Sequence, residues 1–467
     1  MRGSSCAITA ALALAACVPS PTLSTGGGGG PSTVSSASSG AGLGGAGGAS
    51  TATTGGEPCD GVTCVKPPEA ECVAASTKRT YAALGTCSAG HCSYVPTDTV
   101  CPASCAEGAC VGTPIAVSIG IYHACAIVAG GGVACWGAND FGQIGNDSEV
   151  ESHVPVPVTG LASGVLTLSA GPSYVCAASA GSVACWGSNA HYQLGNNAGL
   201  ESHVPVVVAG LSPGVLAVAA GENHACAITA AGGVVCWGHN NSHGQLGNDS
   251  TADSFVPVAV KGLSSGALAL AAAADHTCAV TAAGGVVCWG DNSSGQLGDG
   301  STKDRHVPVA VQGLSSGVVA LAAAGGHTCA RTAAGAMQCW GDNGSGQLGD
   351  GTTLDSHVPV SVKGLPAGVS EIAAGGAHTC AVTTMGALLC WGGNGSGELG
   401  IDSTASKPLP TPVTGLSSGV VKVAAGSWRT CAITSAGVAK CWGEGLHGGL
   451  GNDSTAPSLV PVDVKGF

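Results

Sequence analysis

Paired cysteines are the residues of this sequence with the clearest capacity for chemistry. The chain carries 24 cysteines in 467 residues, and seven of them begin a Cys-Trp-Gly triplet that has a second cysteine upstream. The pairs are Cys125 with Cys135, Cys176 with Cys185, Cys226 with Cys236, Cys278 with Cys288, Cys329 with Cys339, Cys380 with Cys390, and Cys431 with Cys441. Cysteines that face each other across an antiparallel hairpin have the Cα separation that a disulfide needs. We therefore expect seven disulfides; the alternative is buried reduced cysteines that act as small hydrophobic side chains.

The spacing within the pairs supports a hairpin. The two cysteines lie ten residues apart in six units, whereas Cys176 and Cys185 are one residue closer. A residue lost within a strand would turn the following side chains to the opposite face. We place the loss in the turn Ser179-Ala180-Gly181-Ser182, which keeps both cysteines on the same face.

Histidines recur at two positions of the same units, where they could bind a metal. The first set lies two residues before the first cysteine, at His123, His224, His276, His327 and His378, with Tyr174 and Arg429 in the other two units. The second set, before Val-Pro-Val, is His153, His203, His306 and His357. Repeated ligands on separate units need not converge, and two units lack the first histidine. We predict structural histidines that donate to the backbone of the neighbouring unit, and no metal.

Other motifs that suggest ligand sites are better explained as turns. The acidic loops around Asp291, Asp299, Asp342 and Asp350 offer oxygen ligands for calcium, but their spacing matches no standard loop. G-x-G-x-x-G occurs at 344–349 and 395–400 without the helix that a dinucleotide site requires. No Gly-x-Ser-x-Gly stands on a strand-to-helix elbow. We predict no cofactor and no catalytic residue.

The elements that position these residues repeat with a period of 50 to 52 residues. Four short segments of one unit, 318–323, 327–332, 336–340 and 357–362, are apolar or alternating and are bounded by turn-forming residues. Helical periodicity does not persist anywhere in the repeats. Four strands in each of seven units predict an all-β, seven-bladed β-propeller over residues 113–467.

The N-terminal region predicts export and a lipid anchor. Residues 1–16 have one cation and a short apolar segment, as in a signal peptide. Leu14-Ala15-Ala16-Cys17 resembles the lipobox of bacterial lipoproteins, which implies cleavage before Cys17 and lipidation of its sulfur; an ordinary secretory signal is the alternative. The Gly/Ser-rich stretch that follows Cys17, to residue 57, predicts a flexible linker.

A small cysteine-rich module occupies residues 58–112. Its eight cysteines are Cys59, Cys64, Cys72, Cys87, Cys92, Cys101, Cys105 and Cys110. Eight cysteines allow 105 pairings, so the connectivity stays open. Zinc is the alternative to disulfides, although C-x₂-C spacing is missing and His91 is the module's single histidine.

Composition restricts the compartment and the partners. The formal charge of −13 comes from 27 acidic and 14 basic residues, without a basic run. Nucleic acid is therefore an unsuitable partner, because its recognition needs clustered lysine and arginine. The density of cysteines favours an oxidising compartment. We expect an extracytoplasmic lipoprotein on the outer membrane or cell surface.

The repeat resembles that of the regulator of chromosome condensation family, more closely than it resembles kelch repeats. The likeness rests on Gly326-His327-Thr328, Cys339-Trp340-Gly341-Asp342-Asn343, Gly346-Gln347-Leu348-Gly349 and Val358-Pro359-Val360. It implies a seven-bladed propeller, often closed by pairing strands from its two ends. Ile115–Ile119 and Val460–Val464 are the segments that this closure would pair.

The resemblance leaves the activity open among three classes. We expect a non-enzymatic scaffold that presents propeller loops to a protein or glycan. A guanine-nucleotide exchange factor for a small GTPase and a propeller hydrolase or lyase are the alternatives.

One loop of each repeat, between Cys-Trp-Gly and the Gly-Gln-Leu-Gly motif, suggests where a partner binds. Units four to six carry small residues there, whereas units seven, one, two and three carry larger ones. The candidate partner-binding residues are Phe141, His191, Tyr192, His239, His243, Leu446 and His447. Exposed aromatic groups of this kind mark interaction sites, although chance drift of turn residues is the alternative.

Overall fold

A computed structural model describes residues 71–74, 77–81, 86–88, 91–94, 96–100, 104–106, 109–366 and 368–467. The predicted signal peptide, Cys17 and the linker lie outside the described residues. Of the cysteine-rich module, seven short strands are described. They are β1 (Glu71–Ala74), β2 (Thr77–Tyr81), β3 (Thr86–Ser88), β4 (His91–Ser93), β5 (Pro96–Val100), β6 (Ser104–Ala106) and β7 (Ala109–Val111).

These seven strands form small antiparallel sheets. Strands β1, β2 and β5 form one sheet, β6 and β7 form a hairpin, and β3 and β4 form a second hairpin that belongs to a separate compact unit. The strand registers place Cys87 opposite Cys92 and Cys105 opposite Cys110 along the backbone.

The repeat region forms seven four-stranded blades, as predicted. Blade 1 comprises β8 (Pro114–Ile119), β9 (His123–Val128), β10 (Val133–Gly137) and β11 (Ser152–Pro157); blade 2, β12 (Val165–Ala170), β13 (Tyr174–Ser179), β14 (Val183–Gly187) and β15 (Ser202–Val207). Blade 3 comprises β16 (Ala217–Ala220), β17 (His224–Ile228), β18 (Val234–Gly238) and β19 (Ser254–Ala259); blade 4, β20 (Ala269–Ala272), β21 (His276–Val280), β22 (Val286–Gly290) and β23 (Arg305–Ala310). Blade 5 comprises β24 (Val318–Ala324), β25 (His327–Thr332), β26 (Met337–Gly341) and β27 (Ser356–Ser361); blade 6, β28 (Val369–Ala374), β29 (His378–Thr383), β30 (Leu388–Gly392) and β31 (Lys407–Pro412). Blade 7 comprises β32 (Val420–Ala425), β33 (Arg429–Thr434), β34 (Ala439–Gly443) and β35 (Ser458–Asp463).

Each blade is a meander of four consecutive antiparallel strands. The first strand of each blade lines the central channel, and the fourth forms the outer edge of the blade. Within the described residues, the 3₁₀ turn Leu446–Gly448 is the one helical element. No described helix has the length and apolar character needed to cross a membrane.

The seven predicted disulfides are present, one in each blade. They join Cys125 to Cys135, Cys176 to Cys185, Cys226 to Cys236, Cys278 to Cys288, Cys329 to Cys339, Cys380 to Cys390, and Cys431 to Cys441. Each bridge links the second strand of its blade to the third, where the two cysteines face each other directly. All seven have Cα–Cα distances of 4.0 to 4.1 Å.

The shorter turn of blade 2 lies where the sequence predicted it. The amide of Ser179 donates to the carbonyl of Ser182 at 2.9 Å, which closes the hairpin. The two cysteines of this blade, Cys176 and Cys185, remain directly opposite each other. The missing residue therefore falls in the turn and not in a strand.

The hydrophobic core is divided into clusters that lie between neighbouring blades. One cluster combines Cys278 and Cys288 of blade 4 with Trp340 of blade 5. The indole Nε1 of Trp340 also donates a 2.8 Å hydrogen bond to the carbonyl of Gln296 in blade 4. An equivalent bond crosses all seven interfaces, from Trp136, Trp186, Trp237, Trp289, Trp391 and Trp442 to the preceding blade. Each blade therefore completes its core only against its neighbours.

The ring closes without exchanging strands between its two ends, which corrects our expectation. The segment Ile115–Ile119 pairs inside blade 1, and Val460–Val464 runs along the outer edge of blade 7. The repeat region begins with an inner strand and ends with an outer one, so the four strands of every blade come from one continuous segment. Contacts between blades 7 and 1 close the ring instead: Trp136 donates to the carbonyl of Gly449 at 3.2 Å, and the amide of Asp453 donates to the carbonyl of His153 at 3.0 Å.

The outer strands carry a proline at an irregular part of the sheet. In blade 1 the register between the third and outer strands is interrupted between Cys135 and Gly137, and Pro155 lies in this interruption. Proline has no amide hydrogen and is tolerated at sheet edges and bulges. The equivalent residues are Pro205, Pro257, Pro308, Pro359, Pro410 and Pro461.

Replacing Cys329 and Cys339 together by alanine is expected to reduce stability by less than about 3 kcal/mol. The bridge closes a short loop that the hairpin already restricts, and Trp340 retains its contacts across the interface. Urea unfolding of the oxidised protein measures the change. Alkylation of the wild type in denaturant without reductant is the control, and labelling of any of the fourteen propeller cysteines would contradict the assigned bridges.

Candidate functional site

Two kinds of loop lie on one face of the ring. In blade 1 the amide of Ala138, after the third strand, donates to the carbonyl of Tyr122, before the second strand, at 2.9 Å. The same contact recurs from Ser188 to Ser173, His239 to Asn223, Asp291 to Asp275, Asp342 to Gly326, Gly393 to Ala377 and Glu444 to Trp428. We call this side of the propeller the loop face. The hairpins between second and third strands lie at the opposite ends of the strands.

All seven candidate partner-binding residues lie on the loop face. They occupy the loops between the third and outer strands of blades 7, 1, 2 and 3, which are consecutive around the ring. Phe141 and Leu446 expose 41% and 47% of their surface. The structure thus brings the candidates onto one continuous stretch of this face. Their role in binding a partner stays a prediction.

Histidine–carboxylate pairs connect these loops from blade to blade. Nδ1 of His447 lies 2.7 Å from a carboxylate oxygen of Glu151, and Nδ1 of His243 lies 2.7 Å from one of Asp304. Hydrogen bonds from His153 and His447 lower the pKa of Glu151. Burial alone would lower the pKa of His243, but the hydrogen bond to Asp304 and nearby carboxylates raise it above its usual range.

The loop of blade 2 has an unusual backbone that the sequence did not reveal. Tyr192 adopts a positive φ of 63°, at the position where the other six blades have glycine. Its ring packs against that of Phe255 in blade 3, with centroids 3.8 Å apart and the ring planes tilted by 36°. The preceding residue, His191, lies against His239 of blade 3, with ring centroids 4.6 Å apart. Blades 2 and 3 are therefore joined by two ring contacts.

Two aromatic residues on the same face were missed. Tyr122 and Trp428, from the loops before the second strands of blades 1 and 7, have ring centroids 5.7 Å apart. Tyr122 also contacts His447, at 5.4 Å, and Trp428 is 42% exposed. The sequence contained a signal for Trp428, because the chain has eight tryptophans but seven Cys-Trp-Gly triplets. One tryptophan therefore lies outside the repeated motif. We call these two residues together with the seven candidates the loop patch.

Four of the five histidines in the first set make a structural contact, although their partner differs from the one predicted. Nε2 of His378 lies 2.8 Å from the hydroxyl of Thr430 in the next blade, and that hydroxyl donates to the carbonyl of Glu398 at 2.8 Å. Since the hydroxyl gives its one hydrogen to the carbonyl, the imidazole Nε2 is the donor. The same contact joins His224 to Thr277, His276 to Thr328 and His327 to Thr379.

The two units without this histidine use other donors. The hydroxyl of Tyr174 donates directly to the carbonyl of His224 in blade 3, at 2.5 Å. Ala225 of blade 3 packs in the same cluster as Tyr174. It occupies the repeat position that Thr277 holds in blade 4, where Thr277 contacts His224. The guanidinium of Arg429 donates to the carbonyl of Ile121, across the closure of the ring. Tyr174 and Arg429 therefore both donate to a backbone carbonyl of the neighbouring blade.

The second histidine set packs against the preceding blade. His306 donates from Nε2 to the carbonyl of Ser242 at 3.0 Å, as predicted for a structural histidine. A Cβ placed on Gly142, which has a φ of 71°, would lie 2.4 Å from the ring of His203, so glycine is required there. The same close approach joins Gly244 to His306, Gly295 to His357 and Gly448 to His153.

The side chains of the acidic loops contact residues that lie nearby in the sequence. Arg305 pairs with Asp299 at 2.7 Å, and Thr352 donates its hydroxyl to Asp350 at 2.8 Å. Asp291 and Asp342 accept hydrogen bonds from Gln296 and Gln347. The G-x-G-x-x-G segment 344–349 belongs to a turn and is followed by further turns and strand β27. These contacts explain the acidic residues and glycines without a nucleotide.

The central channel opens on the loop face as a cavity of about 400 Å³. Its wall consists of alanine, glycine, serine and a few larger apolar residues from the inner strands and the loops that follow them. Among the described residues that line it, Glu222 supplies the one carboxylate. A pair of convergent carboxylates is therefore not found in this channel within the part of the chain that the structure describes.

Comparison with family models identifies the repeats. The model of the RCC1-like domain matches residues 198–467. Two models of the regulator of chromosome condensation (RCC1) repeat match residues 130–178 and 115–143.

Several curated proteins are similar to the repeat region. The Arabidopsis thaliana ultraviolet-B receptor UVR8 is 34% identical over 236 residues, which cover 50% of this chain and 53% of that protein. The mitochondrial RCC1 domain-containing protein RUG3 of the same plant is 31% identical, over 51% of this chain and 55% of its own length. The human E3 ubiquitin-protein ligase HERC2 is 30% identical over 51% of this chain but 5% of that protein. The chain thus spans about half the length of the first two and a small part of the third.

Solved structures share the fold at low identity. Human WBSCR16 superposes with a TM-score of 0.66 and 23% identity, over 72% of this chain and 94% of that one. Yeast RCC1 (Prp20), crystallised with Kap60, gives a TM-score of 0.64 and 23% identity, over 74% and 85% of the two chains.

Acidification is expected to destabilise the propeller through its buried histidines. Burial lowers the pKa of His327 to about 4, against an ordinary value of about 6.5, so the unfolded chain takes up protons first. The resulting stability is complete above about pH 6.5 and is lost towards pH 4, by roughly 1.4 kcal/mol per pH unit for each such histidine. His327→Gln should reduce the loss between pH 7 and 4.5 by roughly 2–3 kcal/mol.

Urea unfolding at several pH values tests this expectation. The matched control is His357→Gln, which alters an exposed histidine of the same blade. An unchanged pH slope in the His327 variant would exclude the buried imidazole as the cause.

Proposed function

Since the chain belongs to the family of RCC1-like β-propellers, we propose that it is a non-catalytic scaffold that binds a partner through the loop patch. A lipid at Cys17 holds the propeller outside the cytoplasm, on the outer membrane or cell surface. The partner is a protein; a glycan is the second class of ligand that exposed aromatic rings suit.

The observation that carries this proposal is the clustering of exposed aromatic side chains on consecutive blades. Phe141, Trp428 and Leu446 are each more than 40% exposed, and Tyr122 and His447 lie between blades 7 and 1. Aromatic residues are enriched at the energetic centres of protein interfaces. The equivalent loops of blades 4 to 6 carry Ser294, Ser345 and Ser396. A partner that contacts the loop face therefore finds large exposed side chains over blades 7 and 1 and small side chains over blades 4 to 6.

The relatives supply supporting precedents for propellers that bind proteins. Prp20p of Saccharomyces cerevisiae is described with binding properties to Gsp1p and histones, and another solved structure contains Kap60 bound to yeast RCC1. UVR8 is named as a receptor. These activities belong to those proteins, and the present chain takes from them the general use of the propeller as a binding surface.

The proposed compartment is supported by the disulfides of the propeller. All seven blades contain one, and such bridges persist in oxidising environments outside the cytoplasm. A nucleotide-exchange role would place the propeller in the reducing compartment of a small GTPase. We therefore prefer the extracytoplasmic scaffold to the exchange factor.

The double variant Phe141→Ser, Trp428→Ser is expected to weaken partner capture by about tenfold or more. Both side chains are exposed, so the melting temperature should change little. Quantitative capture from surface extracts, with the full chain as bait, compares the variant with the wild type. The matched control is Leu354→Ser, an exposed apolar residue on a loop of blade 5. Equal capture by the wild type and the double variant would rule out the patch as the binding surface.

The mature N-terminus is expected to be a diacylglyceryl-modified Cys17. Intact mass and detergent partitioning of the protein from its native membrane measure this directly. Cys17→Ser should release the protein into the soluble extracytoplasmic fraction, because one residue carries the anchor. A cytoplasmic protein that begins at Met1 would contradict the proposed anchor and compartment.

A further inference from the structure

Two histidines and one aspartate converge where blades 2 and 3 meet on the loop face. One candidate ligand atom from each of His191, His239 and Asp253 lies within 4.8 Å of the others. Nδ1 of His239 lies 3.1 Å from Oδ1 of Asp253, yet this buried nitrogen makes no hydrogen bond. The distance suits a contact, but the alignment does not suit an N–H donor. A nitrogen lone pair close to a carboxylate oxygen is the arrangement that a shared cation stabilises.

The carboxylate of Asp253 and the backbone of the loop that carries His191 are held in place by separate contacts. The amide of Asn240 donates to Oδ1 of Asp253 at 2.8 Å, which fixes that carboxylate. The amide of His191 donates to the side chain of Gln193 at 2.9 Å. The contact between the rings of Tyr192 and Phe255 holds the same loop against blade 3. Metal ligands in proteins are commonly oriented by such surrounding hydrogen bonds.

The positive φ of Tyr192 is consistent with a special role for this loop. Glycine occupies this position in the other six blades, whereas here a bulky residue is held in the left-handed region. A non-glycine residue in a sparsely populated backbone region costs of order 1–3 kcal/mol, and such residues cluster at functional sites. The conformation of Tyr192 places the adjacent His191 beside the imidazole of His239.

From this geometry we propose that His191, His239 and Asp253 bind a divalent transition-metal ion, for which Zn²⁺ is the best match. Two imidazole nitrogens and one carboxylate oxygen favour zinc and its neighbours over calcium or magnesium, which prefer oxygen ligands. Three protein ligands leave a fourth coordination position for water or an outside ligand. His239 and Asp253 expose 23% and 33% of their side chains, so the ion has access from solvent.

The neighbouring cluster of His243, Asp291 and Asp304 is less suited to this ion. It has one imidazole, and Nδ1 of His243 is already 2.7 Å from Asp304. The first set of repeated histidines is buried at the blade interfaces and is equally unsuited. The proposed site does not rest on the proposed function, but His191 and His239 belong to the loop patch, so a bound ion would offer its open position to a partner.

Metal binding by the full chain, freed of metal with a chelator, tests the proposal. Isothermal titration with ZnCl₂ should show one equivalent bound, and Zn²⁺ should raise the melting temperature. Replacing the ion by Co²⁺ should give the visible absorption of a tetrahedral nitrogen and oxygen site, without the near-ultraviolet band of a cobalt–thiolate bond. Such a band would place the ion on cysteine and overturn the assignment.

Matched variants identify the ligands. His191→Ala and His239→Ala should each weaken Zn²⁺ binding at least about tenfold. Asp253→Asn should do the same while retaining the oxygen that accepts from Asn240. The controls His243→Asn and His357→Ala should leave affinity unchanged. Absence of Zn²⁺ binding by the wild type, its persistence in the His191 and His239 variants, or its loss in a control would refute the site. Partner capture is not used as a readout, so the proposed function is tested independently.

Discussion

The indole that crosses each blade interface is the contact on which the geometry of this propeller depends. Trp186 of blade 2 donates to the carbonyl of Gln143 in blade 1, at 3.0 Å. The side chain of the same Gln143 accepts the amide of Phe141, at 2.9 Å. One glutamine therefore connects a fully buried tryptophan to the backbone of an exposed loop residue. Gln193 forms the same connection between Trp237 and His191. The packed interior thus fixes the loops that form the patch.

Repetition of this contact explains how one side of the ring can vary while the ring itself stays regular. The residue two positions before the glutamine or glutamate that accepts this bond is phenylalanine or histidine in blades 1 to 3 and serine in blades 4 to 6. None of these side chains is needed for the tryptophan bond, which uses a backbone carbonyl. Blade 7 differs further, since the carbonyl of Gly449 replaces that of glutamine or glutamate. Here Arg429 and His447 add polar contacts to blade 1, where the ring closes without strand exchange.

The sequence was sufficient to predict the fold because the repeat displays its own period. Cysteine spacing predicted which strands are bridged, and even the shortened turn at 179–182 was placed correctly. The predicted closure by strand exchange was wrong, because the repeats begin with an inner strand and end with an outer one. The predicted partner of His378 was also wrong, since its imidazole contacts the hydroxyl of Thr430 in the next blade and not a backbone carbonyl. Periodicity reveals the strands of one blade but does not show which residues of two blades meet.

The same limit applied to the candidate site. Large residues in the variable loops were visible as departures from the repeat, and the ring order made them neighbours. Tyr122 and Trp428 were missed because they come from a different loop, which joins the first only in three dimensions. The convergence of His239 with Asp253 was hidden as well, because 14 residues separate them along the chain. The distance between these two side chains depends on how the loop between the third and outer strands of blade 3 folds.

The prolines of the outer strands restrict how anything can attach to this molecule. The outer strand of each blade is hydrogen-bonded on one side only, and such an edge normally invites another β-strand to pair with it. Pro155 and its six equivalents remove one amide donor from every edge, at a place where the sheet register is already broken. Strand addition along the circumference is therefore disfavoured, both for a second copy of the chain and for an extended peptide. Neighbouring copies of the propeller therefore cannot readily join their outer strands into one continuous sheet.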